Sequence, residues 1–318
     1  MEEISGRLDG GRIMLKYLIF EGGMYRHELL LEFVDDVGGF VIQKNVIGLD
    51  LIMNFAIPEE ETVRVQELVS ELKGKLREAP LIGTEVAVVA PTLSRHHLPH
   101  PACDIAENLR RHGAKTNIMG LARGVGQKIV HTSVQERQLI EEHDLAVFTL
   151  GNFEHCLRKF KSKLFRDLTI PVIVTGGPPE LEIEGASGYV GGIGRYPERA
   201  RTGDMIEKLR RVSELAGKLI DERRREMDLD PLIVEPALVK SEVERQIPEA
   251  LEALSPNPVT LKVDGVRIKL PFDEYASKVA SVVVDGRRLE EVSRITRSLM
   301  RDYILVRILP ESTSLNFD

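Results

Sequence analysis

Four short apolar runs in the middle of the chain constrain this sequence more than any other feature. They are Glu85–Ala90 (EVAVVA), Lys115–Gly120 (KTNIMG), Leu145–Leu150 (LAVFTL) and Pro171–Thr175 (PVIVT). Each has the length of a strand and is bounded by turn-forming or polar residues, and a further short run lies near Tyr189-Val190. The stretches between them carry apolar residues at helical spacing, Ala102, Ile105, Ala106 and Leu109 in one and Leu157, Phe160 and Leu164 in another. A third helix is entered by the capping box Ser133-x-x-Glu136. A long helix follows, capped by Asp204 and burying Met205, Leu209, Val212, Ala216 and Leu219. Strands that alternate with helices and are apolar on both faces form a parallel sheet covered on both sides. The expected fold is α/β, a central doubly wound parallel sheet of the Rossmann or flavodoxin-like type.

Two smaller α+β units are expected to flank that sheet. In residues 1–80 the runs Ile13–Phe20, Glu28–Val34, Phe40–Val46 and Leu49–Phe55 read as strands, punctuated by Gly22-Gly23 and Gly38-Gly39. A helix follows, with Val65, Leu68, Val69, Leu72 and Leu76 on one face. Pro231 and Pro236 mark a second boundary. Residues 231–318 then read as a helix, a hairpin around Asp264-Gly265, a strand Val279–Val284, a helix and a strand Tyr303–Ile308. The domains expected are thus 1–80, 81–230 and 231–318. Neither outer unit carries a chemical motif, so both are expected to supply interface.

Charge narrows the function classes. The 318 residues include 43 basic and 50 acidic ones, a formal net charge of −7, which disfavours nucleic acid and anionic membrane as partners. There is no Trp and aromatics reach only 5%, too few for a base-stacking platform. No apolar stretch approaches the roughly 18 residues of a membrane span, and the acidic start MEEISGRLDGG lacks a signal-peptide core. A cytoplasmic protein is expected. Two cysteines make no disulfide framework, and they cannot supply four thiolates to an ordinary iron–sulfur cluster.

The reactive residues are not scattered. Seven of the eight histidines and both cysteines lie between His96 and Cys156. In an open parallel sheet, ligands bind outside the carboxyl ends of the strands where the strand order reverses. With the order 2-1-3-4-5, the loops after the first and third strands flank that crevice. Those loops carry His96, His97, His100 and Cys103 on one side and His155 and Cys156 on the other. Each thiol falls in the first turn of a helix, which favours the metal-ligating thiolate. The alternative is inert packing, since free cysteine is among the most buried residue types and Cys156 lies one turn before Phe160. His112, His131 and His143 read as solvated or capping. The glycine motifs LARGVGQK, TGGPP and GGIGRYP lack the Walker and dinucleotide spacings and read as tight turns. The basic run Arg158–Lys163 reads as a solvated helix face. Nothing in the pattern demands catalysis.

At these same residues the chain resembles a known family. The segments PTLSRHHLPHPACDIAENLRR, KTNIMGLARGVG and EEHDLAVFTLGNFEHC are similar to methanogenesis marker protein 7, a family similar in turn to the operon-encoded protein C of methyl-coenzyme M reductase. The resemblance implies a methanogenic or related archaeon. It also implies a non-catalytic role in the ATP-dependent complex that reductively activates methyl-coenzyme M reductase, with that enzyme and the other proteins of the complex as partners. It further implies electron transfer through a complex iron–sulfur cluster held by few protein ligands. By match to the motif, Cys103 in HPAC is the best ligand. The relative carries a histidine where this chain has Cys156, which leaves the second ligand open between Cys156 and His155. Two other readings stand beside this one. His97, His100, Cys103 and Cys156 would make a mixed tetrahedral zinc site, and three of them plus a water would make the chain a zinc-dependent enzyme, with Glu154 the only nearby carboxylate to act as base. Or the chain is a scaffold without metal.

Overall fold

The computed structural model describes residues 14–91, 101–121, 132–193, 203–252 and 257–314, and the chain divides into two compact units, Met1–Ala79 and Pro80–Asp318. The first unit is an antiparallel sheet with two helices on one face. Its strands are β1 (Leu15–Gly23), β2 (Phe40–Ile47), β3 (Asp50–Pro58) and β4 (Lys75–Glu78), in the order β2-β3-β1-β4. Helices α1 (Glu28–Asp36) and α2 (Thr62–Glu71) bury Leu30, Val34, Val65 and Val69 against Phe20, Met53 and Phe55 of the sheet.

Two expectations fail here for local reasons. Glu28–Val34 is a helix, not a strand. Its apolar residues are broken only by Glu32, yet only Leu30 and Val34, four apart, are buried, which is the helical period. Leu76 belongs to β4 and not to the helix before it. The chain turns at Lys73, whose φ is 54°, and passes at Gly74 over the Phe20 ring, where a Cβ would collide.

The second unit is built on a five-stranded, all-parallel sheet of β5 (Glu85–Ala90), β6 (Lys115–Gly120), β7 (Leu145–Thr149), β8 (Val172–Thr175) and β9 (Gly188–Val190). The order is β6-β5-β7-β8-β9, which is the 2-1-3-4-5 arrangement. Alternation along β5 sends Val86, Val88 and Ala90 to one face and Ala87 and Val89 to the other. Helices α3 (Pro101–Arg111) and α6 (Gly203–Met227) cover the first face. Helix α4 (Val134–Glu141) and the segment 154–164 cover the second. The sheet is therefore doubly wound. Ser133 and Glu136 form the expected capping box, whereas Asp204 sits inside the first turn of α6, one residue past its start.

The segment 154–164 departs from a plain helix. One short α-turn, α5 (Glu154–Cys156), runs into a π-helical turn, Leu157–Lys161, and then a 3₁₀ turn, Ser162–Leu164.

After α7 (Pro236–Gln246) and α8 (Glu249–Glu252), an antiparallel sheet joins the same compact unit. Its strands are β10 (Val259–Lys262), β11 (Gly265–Ile268), β14 (Ser293–Arg297) and β15 (Ile304–Ile308), in the order β10-β11-β15-β14. The hairpin at Asp264-Gly265 forms as expected, with Lys262 opposite Gly265. Val279–Val284 is not one strand. Helix α9 (Phe272–Ala280) takes its first two residues, and only Val283–Val284 pair, as β12, with β13 (Arg287–Arg288). No helix among the described residues is long and apolar enough to cross a membrane.

Candidate functional site

The strand order places the reversal point between β5 and β7, and a cavity of about 290 Å³ opens at their carboxyl ends. Pro91 and Pro101 line it on the β5 side, and Thr149–Phe153, Cys156, Leu157 and Lys161 on the β7 side. The walls are mostly apolar, with one thiol and one ammonium group. Backbone hydrogen bonds knit the neighbouring loops. Leu150 N–H donates to Thr175 O (2.8 Å), Gly177 N–H to Gly151 O (3.2 Å) and Ile193 N–H to Gly176 O (2.9 Å). A Cβ on Gly191 would strike the carbonyl oxygens of Pro178 and Pro179, and one on Gly177 would strike Asn152. These glycines serve close backbone packing. Tyr189 closes the loop by donating to Pro178 O (2.7 Å), and burial, with Glu154 adding to it, pushes its phenol up to about 12.

The predicted site residues fall in different places around this crevice. Cys156 is half-buried and lines the cavity. Cys103 lies in the first turn of α3, two residues after Pro101, and is exposed, so it is not a core residue. His155 is exposed, its ring edge-on to Phe160 at 6.1 Å. Glu154, the carboxylate considered as a base, is held by Arg158 at 2.8 Å. His97, with His96, His100 and His131, lies outside the described residues. Among the described residues no three His, Cys, Asp or Glu side chains gather as a metal-binding group. Lys161, Asn152 and Phe153 line the cavity without having been singled out from the sequence.

The opposite, amino-terminal edge of the sheet carries a buried charge network. Glu85, the first residue of β5, receives Arg267 Nε at 2.8 Å and Asn117 Nδ2 at 2.8 Å. Arg267 also donates to Glu142 (2.7 Å), which accepts from the Leu299 N–H (2.6 Å) and the Ser298 hydroxyl (2.7 Å). Asp144, just before β7, accepts from Glu85 N–H (2.7 Å), Val263 N–H (3.1 Å) and Lys262 Nζ (3.0 Å). Glu85, Asp144, Lys262 and Arg267 are each 2% exposed or less. Burial alone would raise the Glu85 carboxyl. Its neighbours His143, Arg267 and Lys262, with the Arg267 hydrogen bond, outweigh burial and hold it below its ordinary value. Lys262 is held above its ordinary value against burial by Asp144 and Asp264.

His143, read from the sequence as solvated or capping, caps the last turn of α4 and is buried in this network, with 1% exposure. His112 caps in the same way, Nδ1 meeting Asn108 O at 2.8 Å. His143 Nδ1 faces the Leu139 and Ile140 carbonyls (3.1 and 3.2 Å) and so carries the proton, and Nε2 accepts from Asn117 (3.0 Å). Burial pushes its pKa down, so the ring is neutral at pH 7. The sign follows by linkage. The unfolded chain takes up this proton near pH 6.5 and the folded one does not, so stability is full above that pH and falls as pH drops through it. Urea midpoints should be flat from about pH 8 to 7 and decline below about 6.5, and His143→Gln should flatten the decline between about pH 6.5 and 5. An unchanged slope in the variant would assign the decline to other groups.

Comparison with known proteins places the chain. A protein of Methanocaldococcus jannaschii, itself described as uncharacterized, is 50% identical over 300 residues, which is 94% of this chain and 96% of that protein. The family model described as methyl-coenzyme M reductase operon protein C matches residues 15–282, a span holding the whole parallel sheet and its crevice. The chain belongs to the methyl-coenzyme M reductase operon protein C family, which links it to methanogenesis.

Proposed function

We propose that this protein is a non-catalytic subunit of the ATP-dependent complex that reductively activates methyl-coenzyme M reductase, and that it binds or shares an iron–sulfur cluster at the crevice between β5 and β7. The observation that carries this reading is the placement of Cys156. It stands in the wall of a cavity whose other wall includes Pro101, the first residue of the helix that carries Cys103. The donor chemistry fits. Thiolates are the soft ligands iron–sulfur clusters take, and mostly apolar walls keep water from the sulfides. Two thiols suit a cluster held at its ends by few protein ligands. When bound, the cluster supplies one-electron relay. The protein holds it, limits solvent access and presents it to partners.

Iron, acid-labile sulfide and zinc, assayed on this subunit taken without oxygen from the native complex, test the proposal. Iron and sulfide are expected, and zinc in their place would favour the zinc-dependent alternative. Cys103→Ser replaces an exposed thiol by a poor ligand for iron, so the variant should keep its thermal stability and lose most of its iron, with reductase activation falling in step. Of Cys156→Ser and His155→Ala, only the true second ligand should reproduce that loss. Full iron content in all three variants would sink the ligand assignment.

A further inference from the structure

We infer that the π-helical turn Leu157–Lys161 brings a positive charge to the crevice by carrying Lys161 round to the wall occupied by Cys156, where its ammonium group favours an anionic occupant and, on the cluster reading above, the reduced state of the cluster. The geometry starts from residue spacing. In an α-helix, five residues advance about 140° beyond a full turn, which would direct residues 156 and 161 to different sides. Here the intervening backbone makes i→i+5 hydrogen bonds, which stack such a pair, and both Cys156 and Lys161 line the cavity. A π-turn is a rare interruption of helical geometry, found frequently at functional sites. Its consequence here is specific. Lys161 is the only side chain with a full formal charge among the described residues that line the cavity, and the others, apart from the Cys156 thiol, are apolar or neutral. The rest of the basic run points elsewhere, since Arg158, Lys159 and Lys163 are exposed.

A cation in a mostly apolar wall acts more strongly than one in water, because less solvent screens it. Thiolate-ligated iron–sulfur clusters are negatively charged, and reduction adds one more negative charge. Lys161 therefore stabilises the reduced form more than the oxidised one and raises the reduction potential, through charge near the cluster rather than through ligation. It is a positioning residue, not a ligand.

The test uses this subunit isolated without oxygen from native complexes carrying Lys161→Gln or Lys161→Arg, with iron and sulfide assayed beside a potentiometric titration followed by paramagnetic resonance. Lys161→Gln should keep iron and sulfide in the wild-type ratio and shift the midpoint potential to a more negative value. Lys161→Arg should restore it. Iron lost in Lys161→Gln and retained in Lys161→Arg also supports the counter-cation role. Full iron with an unchanged potential in Lys161→Gln overturns the inference and leaves the cluster reading standing, as does iron lost equally in both variants, which marks a shape requirement instead. Wild-type protein without iron and sulfide overturns both.

Discussion

Arg267→Ala is expected to destabilise the Pro80–Asp318 unit by roughly 3–5 kcal/mol, the cost of breaking a buried ion pair by removing one partner. The guanidinium is fully buried and bridges Glu85 and Glu142, so its removal strands two carboxylates away from water. Glu85 would keep only the Asn117 amide at 2.8 Å as a side-chain donor. Replacing all three charges together, as Arg267→Met with Glu85→Gln and Glu142→Gln, should cost much less, because no charge is then left buried and unpaired. Urea denaturation of the single and triple variants measures both. A single-variant loss below about 1 kcal/mol, the scale of an exposed pair, would mean that water reaches the site.

Removing residues 257–318 should have a larger effect still, the loss of a folded second unit. The outer units were expected to provide interface, in which case truncation would leave the parallel sheet intact. The hydrogen bonds argue otherwise. Asp144 would lose Lys262 Nζ and Val263 N–H, Glu142 would lose Arg267, Ser298 and the Leu299 N–H, and Glu85 would lose Arg267. Truncated protein should be insoluble or lack the sharp amide resonances of a packed sheet. A soluble truncation with a cooperative unfolding transition would show that the parallel sheet closes without its C-terminal neighbour.

The parallel sheet was legible in the sequence because strands buried on both faces leave near-continuous apolar runs, as EVAVVA and LAVFT do. The crevice followed from the strand order, and Cys156 was found because thiols are few and the switch-point rule says where to look. Helix α1 was missed since Leu29, Leu30 and Leu31 fill an apolar run that hides its period. Lys161 was hidden in a basic run whose other cations are exposed, and only its place at the end of the π-turn sets it apart. The charge network was illegible for a different reason. Its residues look like ordinary surface charges, and the cations Lys262 and Arg267 stand 118 to 182 residues from the carboxylates they meet at the sheet edge. Three acidic residues and a histidine set directly before a buried strand, as in Glu141-Glu142-His143-Asp144, were the one local hint.

That separation fixes a timetable during synthesis. Glu85 and Arg267 are 182 residues apart, so at about 5–20 residues per second a ribosome makes the arginine roughly 10–35 seconds after the glutamate. All five parallel strands and helix α6 are made in that interval, with Glu85, Glu142 and Asp144 still lacking their cations. The nascent sheet must wait, partly hydrated at one edge, until the last fifth of the chain arrives. Translation that stalls before residue 262 leaves a chain whose apolar strands are complete but whose closing charges are missing, the species most exposed to aggregation and to chaperone capture.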